Sequence, residues 1–164
     1  MDFLKLQIDS AEQRLEQIMD VSAEADLLKT LPGVGDVLSM VMMLEIGKVE
    51  RFPTAAHLAS YAGLVPRVHS SGGYTRMGQV CGNVNRNLKW AFVEAANLIV
   101  INQRRLAGTH VVRLYQRIKR GKNHQKGAVA VARHLAEAAW WMLTSLEVYR
   151  EPRRSQQALS STHG

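Results

Sequence analysis

Two long segments with helical periodicity constrain this fold more than any other feature of the sequence. In each of them apolar residues recur every three or four positions, as they do on the buried face of a helix. The predicted buried faces are Leu88, Phe92, Ala95 and Ile99 in NRNLKWAFVEAANLIVI, and Ala128, Val131, Leu135, Ala139, Met142 and Leu146 in QKGAVAVARHLAEAAWWMLTSLEVY. We find no convincing strand and no internal repeat, so the chain is predicted to be mainly α.

The composition is typical of a globular protein with one core. The chain has 164 residues, of which 46% are hydrophobic and 21% charged. No apolar run reaches membrane-spanning length, and the opening MDFLKLQIDS lacks the basic region of a signal peptide, so we expect a cytoplasmic protein. The single cysteine, Cys81, excludes an internal disulfide, and the six histidines are scattered; we expect no metal bound by this chain alone.

The N-terminal residues carry a heptad-like apolar pattern. Leu4, Ile8, Ala11, Leu15 and Ile18 alternate spacings of four and three, which predicts a coiled-coil arm or linker helix over residues 1–26 and a homo-oligomer formed through it. An ordinary amphipathic helix fits as well, since fewer than three heptads are visible. The tail, residues 150–164, has no periodic pattern and is predicted to be disordered.

The net charge of +7 is concentrated in one block. Residues 1–66 contain five Lys or Arg and ten Asp or Glu, whereas residues 67–126 contain twelve Lys or Arg and one acid, Glu94. Such a block is expected of a nucleic-acid surface, because each cation set against a phosphate releases condensed counterions. A solvated face or a surface for an acidic protein partner would also account for the charge.

The segment LLKTLPGVGDVLSMVMMLEIG predicts two helices joined by a glycine-containing hairpin. Asp36 is a candidate cap for the second helix, whose predicted packing stripe is Val37, Val41 and Leu44. In a helix-hairpin-helix element, Gly33 and Gly35 would let backbone N–H groups approach a phosphate. A tight turn between helices has the same composition, and Asp36 would repel a phosphate at that helix end.

The loop YAGLVPRVHSSGGYTRMG follows a short helix predicted over Thr54–Ala62. A serine becomes a nucleophile when a constrained turn displays it and nearby groups stabilise the charge it creates. Arg67 and Arg76 offer forks for phosphodiester oxygens, and His69 or Tyr74 could move a proton. Ser-Ser-Gly-Gly is also ordinary turn composition.

Four runs together resemble the C-terminal domain of the IS110/IS116/IS902 family of insertion-sequence transposases. These runs are LLKTLPGVG, IGKVERFPTAAHLASYAGLVPRVHSSGG, NRNLKWAFVEAANLIV and QKGAVAVARHLAEAAW. The resemblance extends from about Leu27 to Leu146 and favours a domain at residues 27–149, between the arm and the tail.

The resemblance implies a mainly helical domain that acts in a site-specific DNA recombinase. Its serine nucleophile takes a DNA phosphate; carried over by position this is Ser71, with Ser70 the weaker candidate. The companions in the motif are Gly63, Pro66, Gly72 and Gly73, with Arg67 and Arg76 in support. Family members also have a RuvC-like N-terminal domain that binds Mg²⁺ and use a structured guide RNA. We expect this chain alone, which lacks that acidic domain, to be inactive.

The sequence departs from the family pattern in GQVCGNVN, where Cys81, Gly82 and Val84 replace Thr, a basic residue and Gly. This departure bears on whether the segment contacts nucleic acid as it does in the family, and it does not affect the assignment of Ser71. Two other functions remain open: a non-catalytic helix-hairpin-helix binder of DNA or RNA, which includes a transposase remnant, and a coiled-coil assembly subunit. The residues predicted to contact nucleic acid are Gly33, Gly35, Arg86, Lys89, Arg113, Arg117, Lys119, Arg120, Lys122 and Lys126.

Three tryptophans, Trp90, Trp140 and Trp141, occupy helical positions and are predicted to lie in the core rather than to stack on bases. His124, in GKNHQK, is predicted to be a solvated loop residue.

Overall fold

The computed structural model describes residues 5, 7, 23–65 and 84–152, and the backbone of two strands between the last two ranges. The described elements, in chain order, are α1 (Ala23–Lys29), α2 (Asp36–Ile46), a 3₁₀ turn (Val49–Arg51), α3 (Ala55–Tyr61), β1 (Val68–Ser71), β2 (Tyr74–Met77), α4 (Arg86–Ile101), α5 (His110–Gly121) and α6 (His124–Ser145). The mainly α prediction is confirmed. The division into an arm, a domain and a tail remains a prediction.

Helix α6 lies at the centre of the fold and packs against α1, α3, α4 and α5. Its buried face is rich in alanine, and so is that of α4, because small side chains let the two helices approach closely. Every residue of the face predicted for α4 is fully buried. The face predicted for α6 is confirmed except for Leu146, which follows the helix in a left-handed conformation and is 69% exposed.

The packing stripe predicted for α2 is wrong. Val37 and Leu44 are 68% and 66% exposed, and the helix instead buries Leu38, Met42 and Ile46. This helix is apolar on nearly every side, so two stripes satisfy the helical period and the sequence does not choose between them. Asp36 is likewise not the cap, since Gly35 occupies that position with no side-chain cap and Asp36 pairs with Lys29 at 3.0 Å.

Gly33 lets the turn between α1 and α2 pack tightly on α4. Its φ of +78° suits glycine, and an added Cβ would collide with the carbonyl oxygen of Ala95. Close packing therefore explains why position 33 is a glycine. This agrees with the alternative prediction of a tight turn between two helices. The space around Gly35 is open. Phosphate binding by the two glycines remains a prediction.

Helix α3 ends in a Schellman motif that directs the chain toward the strands. The N–H of Leu64 donates to the Ala59 carbonyl, the N–H of Gly63 donates to the Ser60 carbonyl, and Gly63 has φ of +67°. The expectation of no strand is wrong, because Val68–Ser71 and Tyr74–Met77 pair as an antiparallel hairpin. These strands are four residues long and do not alternate apolar and polar residues, so the sequence carries little strand signal.

The C-terminal residues cross back over the domain. The N–H of Tyr149 donates to Thr30 Oγ1, and the Glu151 carboxylate accepts from the N–H of His110 at 2.6 Å. The first residues of the predicted tail are thus held, and 153–164 lie outside the described residues, as does nearly all of 1–22. Within the described ranges no helix is long and apolar enough to cross a membrane.

Candidate active site and nucleic-acid interface

Ser71 is the last residue of β1 and pairs with Tyr74, the first residue of β2. We call these two strands the serine hairpin; Gly72 and Gly73 are the two residues between them. His69 pairs with Arg76, and Ser70 with Thr75. Because positions alternate between the faces of a strand, 69, 71, 74 and 76 share one face and Ser70 lies on the other.

The two ends of the segment that carries the serine hairpin meet between α3 and α4. The backbone N–H of Asn85 donates to the Tyr61 carbonyl at 3.0 Å, across 24 residues of sequence. Val84 lies so close to Gly63 that an added Cβ would meet Val84 Cγ1 at 2.5 Å. The glycine of the family motif therefore has a structural function here, because it allows the two ends to touch.

Asn85 uses both ends of its side chain at this junction. Its Oδ1 accepts from the N–H of Leu88 and caps α4, while its Nδ2 donates to Glu45 Oε2 at 2.6 Å and to the Tyr61 hydroxyl at 3.1 Å. Asn87 donates to the other Glu45 oxygen at 2.7 Å. We call Glu45, Tyr61, Asn85 and Asn87 the hairpin clamp. It joins α2, α3 and α4 at the base of the serine hairpin.

The hydrogen bonds of the clamp change the acidity of its members. Donation from Asn85, then Asn87, holds the pKa of the Glu45 carboxyl below its ordinary value, so that Glu45 is anionic. Donation from Asn85 also lowers the pKa of the Tyr61 phenol, with help from Arg51, whose guanidinium carbon lies 4.7 Å from the Tyr61 ring centre. The clamp is therefore a charged network.

The second candidate surface is formed by α5, the turn after it and the start of α6. Its exposed cations, which we call the basic surface, are Arg117, Lys119, Arg120, Lys122 and Lys126. Arg113 is half-buried and its guanidinium donates to the Gly108 carbonyl, so it is partly committed to the fold. Arg86 is exposed and Lys89 half-buried at the start of α4. The structure thus brings five of the predicted nucleic-acid residues together.

The turn that presents the basic surface is held by three contacts. The Tyr115 hydroxyl lies 2.8 Å from His124 Nδ1, and Asn123 caps α6 by accepting from the N–H of Lys126. Gly127 packs against the Tyr115 ring. His124 is exposed, as predicted, but it is the first residue of α6 rather than a loop residue, and its ring is hydrogen-bonded.

The cations of the basic surface differ from those elsewhere in the fold. The ion pairs formed within 23–65 and 84–152 engage Lys29, Arg133 and Arg150, and none engages a cation of the basic surface. These side chains therefore remain available for phosphates in the described part of the chain.

The described residues do not suit a metal ion. They contain no group of three or more His, Cys, Asp or Glu side chains placed to hold one. Both oxygens of Glu45, the carboxylate nearest the serine hairpin in the clamp, accept from amide groups instead.

The prediction that the tryptophans lie in the core holds only for Trp140, which is half-buried and donates from Nε1 to the Phe52 carbonyl at 2.9 Å. Trp90 and Trp141 are 50% and 61% exposed. Each lies on the outer side of a helix whose inner side is filled mainly by smaller residues, so the apolar character of tryptophan alone was misleading.

A comparison with protein families matches residues 25–111, more than half of the chain, to the Transposase IS116/IS110/IS902 family. The chain belongs to this family. The resemblance found in the sequence is thereby confirmed. The matched residues of this IS116/IS110/IS902 chain include the serine hairpin, the clamp and the start of α5.

Individual relatives agree with the family assignment. An uncharacterized 43.6 kDa protein of insertion element IS110 from Streptomyces coelicolor is 33% identical over 132 residues, 80% of this chain and 32% of that protein. A putative transposase of Sinorhizobium fredii is 26% identical over 90% of this chain and 38% of its own length. The transposase of IS1111A from Coxiella burnetii is 24% identical over 87% and 39%, respectively. The chain thus spans 32 to 39% of the length of these relatives.

Several predicted site residues lie outside the described part of this IS116/IS110/IS902 chain: Pro66, Arg67, Gly72 and Gly73. Sequence reasoning missed the clamp. An asparagine before a helical run was a readable cap signal at Asn85, but its partner Glu45 is 40 residues away and carries no local signal.

Proposed function

We propose that this chain supplies the serine-bearing C-terminal part of a DNA transposase. The single observation that supports the proposal is the register of the serine hairpin, in which Ser71, the last residue of β1, pairs with Tyr74, and His69 pairs with Arg76. A nucleophile needs nearby groups that accept its proton and neutralise developing charge. Ser70 pairs with Thr75 instead.

In the proposed step the Ser71 oxygen forms a bond to a DNA phosphorus. One bridging phosphorus–oxygen bond breaks, the serine proton passes to an acceptor, and the departing oxygen takes up one proton, so that the strand end leaves as a hydroxyl. The phosphodiester energy is retained in the phosphoserine bond, so the reverse reaction can rejoin strands. Arg67 and Arg76 would hold the non-bridging oxygens, as positioning and charge neutralisation dominate phosphoryl transfer.

The clamp would hold the serine hairpin on the rigid core, and the basic surface would hold the DNA backbone. Correct placement of the reacting groups accounts for much of catalysis. Attachment of the serine hairpin to the core by the clamp would therefore contribute to the reaction. We further propose that a RuvC-like, Mg²⁺-binding domain outside this chain and a guide RNA complete the recombinase.

The test is Ser71→Ala in a protein that joins this chain to the N-terminal portion of a longer relative such as the IS110 protein of Streptomyces coelicolor. We expect strand exchange to be abolished and DNA binding to survive, with Ser70→Ala as the matched control. Strand exchange by the Ser71→Ala protein would overturn the proposal.

A second function, nucleic-acid binding without chemistry, is favoured by the cations of the basic surface, which form no ion pair within residues 23–65 and 84–152. It predicts affinity that falls steeply with salt, tolerates sequence changes and is indifferent to Ser71. Loss of strand exchange in Ser71→Ala would show that binding without chemistry is not the complete function. An affinity that does not depend on salt would count against both functions.

A further inference from the structure

Trp90 is a large aromatic side chain that lies half outside the core. It is 50% exposed, and within the described ranges its indole N–H makes no hydrogen bond, unlike that of Trp140. An exposed tryptophan loses the apolar burial that usually stabilises a core. Such a residue on a helix next to a candidate active site is a candidate ligand contact.

The neighbours of Trp90 place it over the first turn of α4. Side chains on a helix lean toward its N-terminus, so a residue covers the positions three and four before it. For Trp90 these are Asn87, which belongs to the hairpin clamp, and Arg86, which is exposed. Glu94, the acid on this helix, follows one turn later and is half-buried. On this stripe of α4 the indole therefore has Arg86 and Asn87 on its N-terminal side and Glu94 on its C-terminal side.

Trp141 provides a contrast within the same chain. It is also exposed, at 61%, but it lines a cavity of about 430 Å³ together with two ion-paired acids: Glu137, which pairs with Arg133, and Glu147, which pairs with Arg150. Its ring contacts that of Trp140 edge to face, with centroids 4.9 Å apart. The two exposed tryptophans therefore differ in place: Trp141 lines a cavity beside the end of its helix, whereas Trp90 lies one turn after the junction that carries the serine hairpin and beside the exposed Arg86.

We propose that Trp90 is a stacking platform for an unpaired base of a DNA strand bound at the serine hairpin, with Arg86 against the adjoining phosphate. This inference rests on the proposed function. Every base has an aromatic face, so a tryptophan beside a cation binds single strands without sequence readout. Bases inside a duplex are already stacked on one another, and the platform therefore selects DNA that is unpaired near the reacting phosphate.

The experiment compares the chain with its Trp90→Ala and Trp141→Ala variants. Binding is measured to a duplex and to the same duplex carrying a short unpaired stretch, with tryptophan emission recorded in each titration. We expect tighter binding to the unpaired stretch and quenched emission. Trp90→Ala loses about fivefold to a hundredfold in affinity for the unpaired stretch and loses the quenching, while its duplex affinity is unchanged. Trp141→Ala retains both, and Trp90→Phe retains most of the affinity.

Equal loss in the two tryptophan variants, or no preference of the unchanged chain for the unpaired stretch, would overturn the stacking assignment. Tighter binding of an RNA strand of the same sequence would overturn the assignment to DNA. Neither result touches Ser71, since duplex affinity and strand exchange test the proposed function separately. The thermal unfolding midpoint of each variant shows whether the exposed side chain was removed without loss of the fold.

Discussion

The junction at the base of the serine hairpin and the turn between α5 and α6 are built alike but differ in charge. In each, an asparagine caps the following helix, Asn85 in the first and Asn123 in the second. In each, a tyrosine hydroxyl is hydrogen-bonded across the junction. At the first junction the anionic Glu45 receives the amide donors, whereas within the described part of the second no carboxylate pairs with the cations.

This difference separates a structural task from a binding task. The first junction joins the two ends of a long segment, because Tyr61 and Asn85 meet across 24 residues. A third element, α2, stabilises this junction through Glu45. The second closes a short turn with local contacts, across 9 residues between Tyr115 and His124. The carboxylate of the first junction is satisfied by amide donors, whereas the cations of the second form no ion pair among the described residues. We therefore expect mutations in the first to affect stability and mutations in the second to affect nucleic-acid affinity.

The largest expected effect on nucleic-acid binding comes from the basic surface. Replacing Arg117, Lys119 and Arg120 with glutamine should reduce duplex affinity at low salt by at least about tenfold. It should also make the dependence of log affinity on log salt shallower by about 2.7, since each lost phosphate contact removes about 0.9. Fluorescence anisotropy over a salt series measures both quantities.

The matched control removes the same charge from cations that are already paired. Replacing Lys29, Arg133 and Arg150 with glutamine changes the net charge equally, but these side chains neutralise carboxylates in the fold. We expect a much smaller loss of affinity. Equal losses in the two triple variants would show that net charge alone drives binding and would remove the distinction between the two junctions.

The next effect compares two glycines that permit close approach. Gly63→Ala forces a side chain into φ of +67° and against Val84, at a cost of about 2 to 4 kcal/mol. Gly127→Ala meets a Tyr115 ring atom at 2.9 Å, but the gain of about 1 kcal/mol in helix propensity offsets part of that contact. Urea denaturation measures both. Val84→Ala should recover part of the Gly63→Ala loss, and no recovery would contradict the assigned contact.

Loss of the capping asparagine should likewise lower the free energy of unfolding more at the first junction than at the second. Asn85→Ala loses the cap and the donors to Glu45 and Tyr61, about 2 kcal/mol together, whereas Asn123→Ala loses about 1 kcal/mol for the cap alone. Asn85→Asp keeps an acceptor for the cap but sets a second carboxylate beside Glu45, so it should be no better than alanine. Equal unfolding free energies for the two alanine variants would contradict the clamp.

The smallest effect is the pH dependence of the clamp. The pKa of Glu45 is lowered in the folded protein, so its contribution to stability is present above its ordinary value of 4.5 and is lost as pH falls through the folded-state pKa. The urea midpoint should therefore drop more between about pH 5 and pH 3 in the unchanged chain than in Glu45→Gln. Identical drops would show that other carboxylates account for the whole acid response.

The sequence predicted the core where the helical period left one choice. The faces of α4 and α6 each have polar residues opposite the apolar ones, so their buried sides were readable, while α2 is apolar around its circumference and was read on the wrong side. The serine hairpin was missed as strands because its residues do not alternate in polarity.

Some residues of the candidate site could be predicted from local sequence and others could not. The exposure of the cations on α5 could be predicted from local sequence, since the charged side of an amphipathic helix faces solvent. The clamp depends on contacts 24 and 40 residues apart, which no local pattern specifies. Exposure of Trp90 was also beyond local reasoning, because it depends on which side of α4 its neighbours cover.

The central claim, that Ser71 attacks a DNA phosphate, is tested most directly by trapping its covalent product. The protein that joins this chain to the N-terminal portion of a longer relative would be incubated with substrate DNA, denatured, digested with nuclease and protease, and analysed by mass spectrometry. The account predicts a phosphate or nucleotide adduct on Ser71 that is absent from Ser71→Ala and retained in Ser70→Ala. An adduct on Ser70, or strand exchange without any serine adduct, would contradict it.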